Sequence, residues 1–450
     1  MPALIKPNSE DRSTWLTYDD YLARDRGPVP DLLREYGDEP DPGIMELDPH
    51  CFYTREYFER EVERLWKRAW LWACRENDIP NVGDWVEFSI AGQSVLVVRD
   101  GASSVRAMRN ACRHRGLKLA EGRGNNSAFG CPFHGWTYNL DGSLKAIPCA
   151  WDFPGKGPAM LGLTPIKTGV WDGWVFVNLD PAAEPLEVHL GSVRPRHFAR
   201  YRLGERWKRV HIGIVVHSNW KIVAEAFMET YHLSATHPTL RTTAADVQTR
   251  YDLFGWHSRL LEPVAVPCVQ PGQPVAEPKI VDAMLQLGLR NGNTAVDDRP
   301  ARKQIADAYR AAAAASGVDY SHYCDSELLD SMLYVVFPNF FPWGGTFGLT
   351  YRFRPNGLDP ESSIYEVMLL DPVPKGELRP ADSPLHMLKE GEKFADYDDT
   401  LKGLGFLLDQ DVANCARIQE GLRSLEHIVF SHEQEKMIRR FHLNLDRFMR

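Results

Sequence analysis

The chain has no uninterrupted apolar run of about 18 residues, so nothing in it reads as a membrane-crossing helix. Its opening stretch, MPALIKPNSEDRST, lacks the apolar core and cleavage site of a secretory leader, and a cytoplasmic protein is expected. No G-x-G-x-x-G turn occurs, which removes the usual fingerprint of a chain that binds its own dinucleotide. Positive charge is in deficit: the net charge of −9 argues against a nucleic-acid partner. Internal repeats are missing, and low complexity is confined to the alanine run 311–315. Cysteine is sparse, with eight in 450 residues, which fits a reducing compartment better than a disulfide framework. Six of them (Cys51, Cys74, Cys149, Cys268, Cys324 and Cys415) are scattered and read as buried free thiols. What remains is the composition of an ordinary globular chain, 44% hydrophobic and long enough for two or three domains.

The other two cysteines stand in the stretch from Asn110 to Tyr138, NACRHRGLKLAEGRGNNSAFGCPFHGWTY. It holds two half-motifs, each with one thiol and one imidazole: Cys112-Arg113-His114 and Cys131-Pro132-Phe133-His134. Two Cys and two His can make a tetrahedral zinc site, but zinc fingers of that set place both Cys in one half and both His in the other. One of each per half suits a two-iron cluster with thiolates on one iron and imidazoles on the other. The order C-x-H-x16-C-x2-H, with glycine closing each half, resembles the Rieske [2Fe–2S] family, whose neutral histidine ligands raise the potential.

A second constellation is NWKIVAEAFMETYHLSATHP, beginning at Asn219. As a helix it places Glu225, Met228, Glu229 and His232 on one face, at i, i+3, i+4 and i+7. His237 follows five residues after His232. A lone histidine on such a face is usually structural; two beside two acids supply the imidazoles of a 2-His-1-carboxylate iron site. Asp409 and Asp411, in GFLLDQDVANCARIQEGLRS, are both candidates for the carboxylate. Both also read as routine caps just before a helix.

Around these motifs the chain divides into three. Residues 1–45 are polar and proline-rich, with a short helix expected near Leu32–Tyr36, and read as an arm. Apolar residues at helical spacing predict a helix over Thr54–Trp72. Short strands with turn signals at Ala91-Gly92, Asp100-Gly101 and Asp141-Gly142, closing with Trp174–Leu179, predict a small antiparallel β domain over 46–180. Residues 181–450 form the remainder, with 240–330 as an insertion or lid containing an alanine-rich helix from Asp298 to Ser316. Strands are expected over Phe347–Arg354 and Ser363–Leu370. Ser431-His432-Glu433-Gln434 reads as a capping box opening a last helix through Met449.

Taken together, residues 50–440 resemble the large (alpha) subunit of Rieske non-haem iron ring-hydroxylating oxygenases. The family pattern N-W-K-x3-E-N-x2-E/D-x-Y-H-x4-H matches Asn219, Trp220, Lys221, Glu225, Glu229, Tyr231, His232 and His237. The D-x3-C-x3-Q-x-G-L segment matches Asp411, Cys415, Gln419, Gly421 and Leu422, and so selects Asp411 over Asp409. Two positions depart from it. Glu229 stands where most aromatic-ring dioxygenases have Asp, and Ala226 replaces the usual Asn.

The resemblance implies an α+β chain: a small antiparallel β Rieske domain, then a helix-grip (START/Bet v 1-like) catalytic domain whose curved sheet wraps a long helix. It implies a [2Fe–2S] cluster on Cys112, His114, Cys131 and His134, mononuclear Fe(II) on His232, His237 and Asp411, and O2 as co-substrate. Glu229 is expected to orient His232 and to reach His134 of a neighbouring subunit, which implies a homotrimer, with a small beta subunit compatible. Electrons would come from NAD(P)H through a separate reductase, with or without a ferredoxin. The expected reaction is mono- or dioxygenation of a hydrophobic, aromatic or polycyclic compound, as in aromatic catabolism. Oxidative O- or N-demethylation and quaternary-amine monooxygenation are the alternatives within the family. An electron carrier or ligand-binding protein without the mononuclear iron is the alternative outside it.

Overall fold

The computed structural model describes residues 15–37, 39–191, 197–268, 275–287, 297, 299–397 and 401–450. The opening MPALIKPNSEDRST stretch, Asp298 and parts of the 240–330 segment lie outside the described residues.

The first half is built on a seven-stranded antiparallel sheet. Across it run Leu71–Arg75, Trp174–Asn178, Pro165–Trp171, Ser104–Arg109, Gln93–Gly101, Asp84–Ile90 and Arg123–Asn125. Ala91 and Gly92 make a two-residue hairpin with φ of 45° and 74°, the left-handed pair that matches strand twist. A three-stranded ribbon of Phe129–Gly130, Thr137–Tyr138 and Leu144–Ala146 lies beside this sheet. Loop 131–136 joins its first two strands. The helix expected over Thr54–Trp72 is shorter: Arg55–Glu61 continues as a π turn to Trp66, and Leu71–Arg75 is a wholly buried strand. A short apolar run has no period to separate these outcomes.

The second half is the helix-grip arrangement. Phe340–Pro342, Leu349–Pro355, Ser363–Asp371 and Trp207–Val216 pair antiparallel, and His386–Met387 adds a parallel edge. Arg250–Phe254, His257–Glu262 and Ser331–Val335 form a second sheet, joined to the first by bridges Leu333–Trp343 and Val336–Phe340. The long helix Lys402–Leu422 buries Leu408, Cys415 and Leu422 in one core with Tyr351, Tyr365 and Val367 of the sheet. Asp409 and Asp411 therefore lie inside this helix rather than before it. The last helix, Lys436–Met449, starts later than expected; Ser431 Oγ still accepts from Gln434 N at 3.1 Å.

The stretch after Asn219 is also not one helix. Trp220–Glu225 is helical, the path then breaks, and Leu233–Thr236 makes a separate turn of helix. Met228 is fully buried, and the four-residue face over 225–232 does not form. Beyond the break Thr230 is held by the fold, its N–H donating to Tyr251 Oη at 3.1 Å and its hydroxyl to Asp246 O at 3.1 Å. Such competing bonds pull a backbone out of a helix. Of the six scattered cysteines, five are buried; Cys149 is exposed, at left-handed φ of 53° in a turn outside both sheets.

The arm is anchored rather than draped. Tyr18–Leu22 carries a Thr17/Asp20 capping box, Tyr18 Oη donates to Asp330 at 3.1 Å, and Arg259 donates to Leu32 O at 2.6 Å. Its second helix is Asp31–Arg34, and Ala301–Ala315 accounts for the alanine-rich helix.

Buried polar links fasten the two halves. Arg352 lies 4.0 Å above the Trp72 ring, donates to Trp72 O and Ala73 O at 3.0 and 3.2 Å, and pairs with Glu366 at 2.5 Å. Lys208 reaches Asp78 at 2.6 Å. Lys221 and Trp220 both donate to Glu61, at 2.6 and 3.2 Å, with the Lys221 and Glu61 side chains fully buried. That accounts physically for two letters of N-W-K; Asn219 supplies the third by capping Lys221 N at 3.0 Å. Replacing Lys221 by Met leaves the Glu61 carboxylate uncompensated in the core. A loss of about 3–5 kcal/mol is expected by urea denaturation. A variant within about 0.5 kcal/mol of wild type contradicts this account of the motif.

Candidate metal centres

The two half-motifs fold as matching loops. In the first, Cys112 N donates to Leu117 O at 2.8 Å and Gly116 N returns to Cys112 O at 2.9 Å. In the second, Cys131 N donates to Trp136 O at 2.7 Å and Gly135 N to Cys131 O at 2.9 Å. Gly116 and Gly135 take φ of 79° and 73°, which explains glycine at the end of each half. Asn110 fixes the first loop by accepting from Leu119 N and Ala120 N at 3.0 and 3.2 Å.

Both thiols are buried, whereas His134 is exposed and His114 half-buried. The imidazoles meet with Nδ1 atoms 3.0 Å apart, His114 stacked on Trp136. Desolvation and the neighbouring His114 push His134 below its ordinary value, toward the neutral form that ligates metal. The Tyr138 hydroxyl lies 3.3 Å from Cys112 Sγ and accepts from Arg113 N at 3.0 Å, so it can donate to the sulfur once that is a thiolate.

One tetrahedral zinc with bonds of about 2.0–2.3 Å would bring all four donor atoms within about 4 Å of each other. Among the described residues, the group of three or more donors gathered within 4.8 Å is a different one, His232, His237 and Asp411. The separation of a buried thiol pair from a surface imidazole pair therefore fits two metal ions and not one.

In the second centre His237 Nε2 lies 3.3 Å from His232 Nε2 and 3.0 Å from Asp411 Oδ1, which is 3.6 Å from His232 Nε2. The opposite ring nitrogens are held elsewhere. Glu229 takes the His232 Nδ1 proton at 2.5 Å and accepts His232 N–H at 2.9 Å. Gln410 Oε1 takes His237 Nδ1 at 2.9 Å. Both imidazoles thus present Nε2 to one point, the pattern of metal-ligating histidines. Burial alone would lower His232, but the Glu229 carboxylate, with Asp411, carries it up to about 9. Two carboxylates here demand positive charge, and a divalent cation answers that demand as a proton does. Asp409 turns away: its carboxylate accepts from Phe394 N and Ala395 N at 2.9 and 3.1 Å, capping a neighbouring turn.

A cavity of about 130 Å³ opens from the triad, and a second of about 160 Å³ adjoins it. Trp343, Leu404, Leu407, Glu262 and Ser331 line both, and Phe227 and Tyr351 line the first. Burial pushes Glu262 up to about 7, against the Ser331 hydroxyl, which stabilises its charged form. A third cavity of about 170 Å³, lined by Glu225, Glu229, His232, Asn414 and Glu435, adjoins Glu229 as well.

Every ligand candidate read from the sequence falls into one of these two centres except Asp409. Sequence reasoning missed Gln410, Tyr138 and Glu262. Gln410 adjoins Asp411 in the chain, a proximity that carries no signal on its own, and no spacing rule points to the other two.

Residues 69–155 match the Rieske [2Fe–2S] domain family, and residues 198–450 match the ring hydroxylating alpha subunit (catalytic domain) family. The anthranilate 1,2-dioxygenase large subunit of Acinetobacter baylyi is 29% identical over 54% of this chain and 59% of its own length. The biphenyl 2,3-dioxygenase subunit alpha of Rhodococcus jostii is 31% identical over 42% of this chain and 43% of its own. The chain thus spans about half the length of the curated relatives it matches. In fold it is similar to the quaternary ammonium Rieske monooxygenase CntA in complex with L-carnitine. There the TM-score is 0.64 at 16% identity, over 91% of this chain and 97% of that one.

The geometry separates the two aspartates sharply. Asp411→Ala should lose mononuclear iron by metal analysis while the visible and EPR spectra of the cluster persist. Asp409→Ala should keep both. Iron retained in the Asp411 variant, or lost equally in both, contradicts the assignment.

Proposed function

The chain belongs to the ring-hydroxylating alpha-subunit family, and on that premise we propose that it is the terminal oxygenase of a Rieske system. It would use O2, with electrons from NAD(P)H through a separate reductase and with or without a ferredoxin, to hydroxylate a small hydrophobic molecule. Residues 46–180 would serve as the electron-entry domain and 181–450 as the catalytic domain, with 1–45 as the tying arm. The observation that carries this is the convergence of His232, His237 and Asp411 at the floor of an apolar cavity.

When bound, the cluster supplies single electrons at a potential raised by its neutral imidazole ligands, and ferrous iron on two imidazoles and a carboxylate supplies oxygen activation. The chain's own residues do the rest. Glu229 and Gln410 hold protons on Nδ1 of His232 and His237, leaving each Nε2 free to ligate. Tyr138 holds a proton toward Cys112 Sγ, which disperses negative charge on that sulfur. Phe227, Tyr351, Leu404 and Leu407 keep water from the substrate cavity.

Glu229 has a second role in this proposal. It lines the third cavity, and His134 is exposed at the end of its loop. Docking of a second copy would let Glu229 bond to His134 of the partner subunit, so that electrons cross between chains of a homotrimer. Glu229→Gln should then keep mononuclear iron near the wild-type level. In a single turnover with both centres reduced and substrate bound, oxidation of its Rieske signal should slow by orders of magnitude. If Glu229 serves His232 alone, the variant instead loses about 10–100-fold in iron affinity and oxidises its cluster at the normal rate. That outcome, or an active monomer, overturns the inter-chain route.

A further inference from the structure

The cavity above the triad contains an acidic group that a purely hydrocarbon substrate would not use. Glu262 ends the strand His257–Glu262, opposite Ser331, and is only 7% exposed, yet its Oε1 has no hydrogen-bond partner. Six of the other buried acids are treated differently: Glu61, Asp252, Asp325, Glu327, Asp330 and Glu366 each face a lysine or arginine. A buried carboxylate left without such a partner is costly. Both cavities share Glu262 as lining, and no lysine or arginine is among their described lining residues. The unpartnered donor that shares the space is neutral, the Trp343 indole N–H. Phe227, Trp343 and Tyr351 line the same cavity, and aromatic rings are side chains that attract a cation.

We propose that Glu262 is the substrate-recognition residue of this cavity and that the substrate carries a positively charged nitrogen, an amine or ammonium group, on an apolar body. The nitrogen sits against Glu262 and the aromatic faces; the apolar body extends toward the metal triad. Size sets a further limit. An apolar cavity of about 150 Å³ holds benzene, so these two adjoining spaces suit a body of one or two rings. A substrate carboxylate finds no counter-cation among the described lining residues and is disfavoured. This inference rests on the oxygenase proposal for the fate of the substrate, but not for its binding.

The test is equilibrium binding to the anaerobic holoenzyme by calorimetry, with three probes of similar size: 2-phenylethylammonium, n-propylbenzene and phenylacetate. Wild type should bind the ammonium about 10–100-fold more tightly than the hydrocarbon, the range of a charge-assisted hydrogen bond, and phenylacetate most weakly. Glu262→Gln should abolish that preference while propylbenzene binding holds or improves. Glu262→Asp, which keeps the charge but retracts it, should retain part of the preference and serves if the glutamine variant does not fold. Equal binding of the three probes by wild type, or a preference that survives in Glu262→Gln, overturns the proposal. Oxygen uptake on the same samples separates the two claims. A chain that prefers the ammonium but consumes no O2 with reductant contradicts only the oxygenase proposal. One that oxidises propylbenzene and ignores the ammonium contradicts only this one.

Discussion

Three donor atoms, two imidazole nitrogens and one carboxylate oxygen, must meet within 4.8 Å although they come from distant segments of the chain. Much of the second half is arranged to meet that condition. His232 and His237 flank a single turn of helix, Leu233–Thr236, and just before it Thr230 is tied to Tyr251 and Asp246. Asp411 arrives on the long helix, whose Leu408 and Cys415 are gripped by the same core as the sheet. A one-residue rotation of that helix, about 100°, would carry Asp411 off the site and Gln410 off His237. The buried fit of the helix therefore has chemical consequences, and Gln410 and Asp411 act as one rigid unit.

The cluster loops meet a different condition by a local route. Each loop closes on its own backbone through the same pair of hydrogen bonds and one left-handed glycine. Little of the distant fold is needed, and the four residues were accordingly legible in the sequence as two short spaced motifs. His232 and His237 were legible for the same reason. The choice between Asp409 and Asp411 was not, because a single helical turn offers two acids on opposite sides and local spacing cannot say which one faces inward. The resemblance chose Asp411; the geometry gives the physical ground, since Asp409 is occupied with Phe394 N and Ala395 N.

Where the sequence misled, a tertiary bond outweighed a local pattern. Apolar periodicity after Asn219 suggests one helix, but it cannot register a threonine hydroxyl that finds better partners across the fold. The same holds for Thr54–Trp72, where burial on both faces turns the end of the pattern into a strand. Glu262 was invisible for a further reason. An acid at a strand end is ordinary, and only its unpartnered Oε1, in cavities with no lysine or arginine among their described lining residues, marks it. The antiparallel sheets and their hairpins were anticipated well, since strand alternation and turn residues are local signals; the helix-grip arrangement was implied by the resemblance alone.

The central claim is that one chain holds two distinct metal centres, a sulfur-bridged pair and a single ion. The most direct measurement is the stoichiometry of iron and acid-labile sulfide per chain in aerobically purified, iron-replete protein, taken with the EPR spectrum after one-electron reduction. The account predicts three irons and two sulfides per chain, with a Rieske-type signal from the reduced pair. A colourless protein with one zinc per chain and no labile sulfide would contradict the first centre. A stoichiometry fixed at two irons under iron-replete conditions would contradict the second.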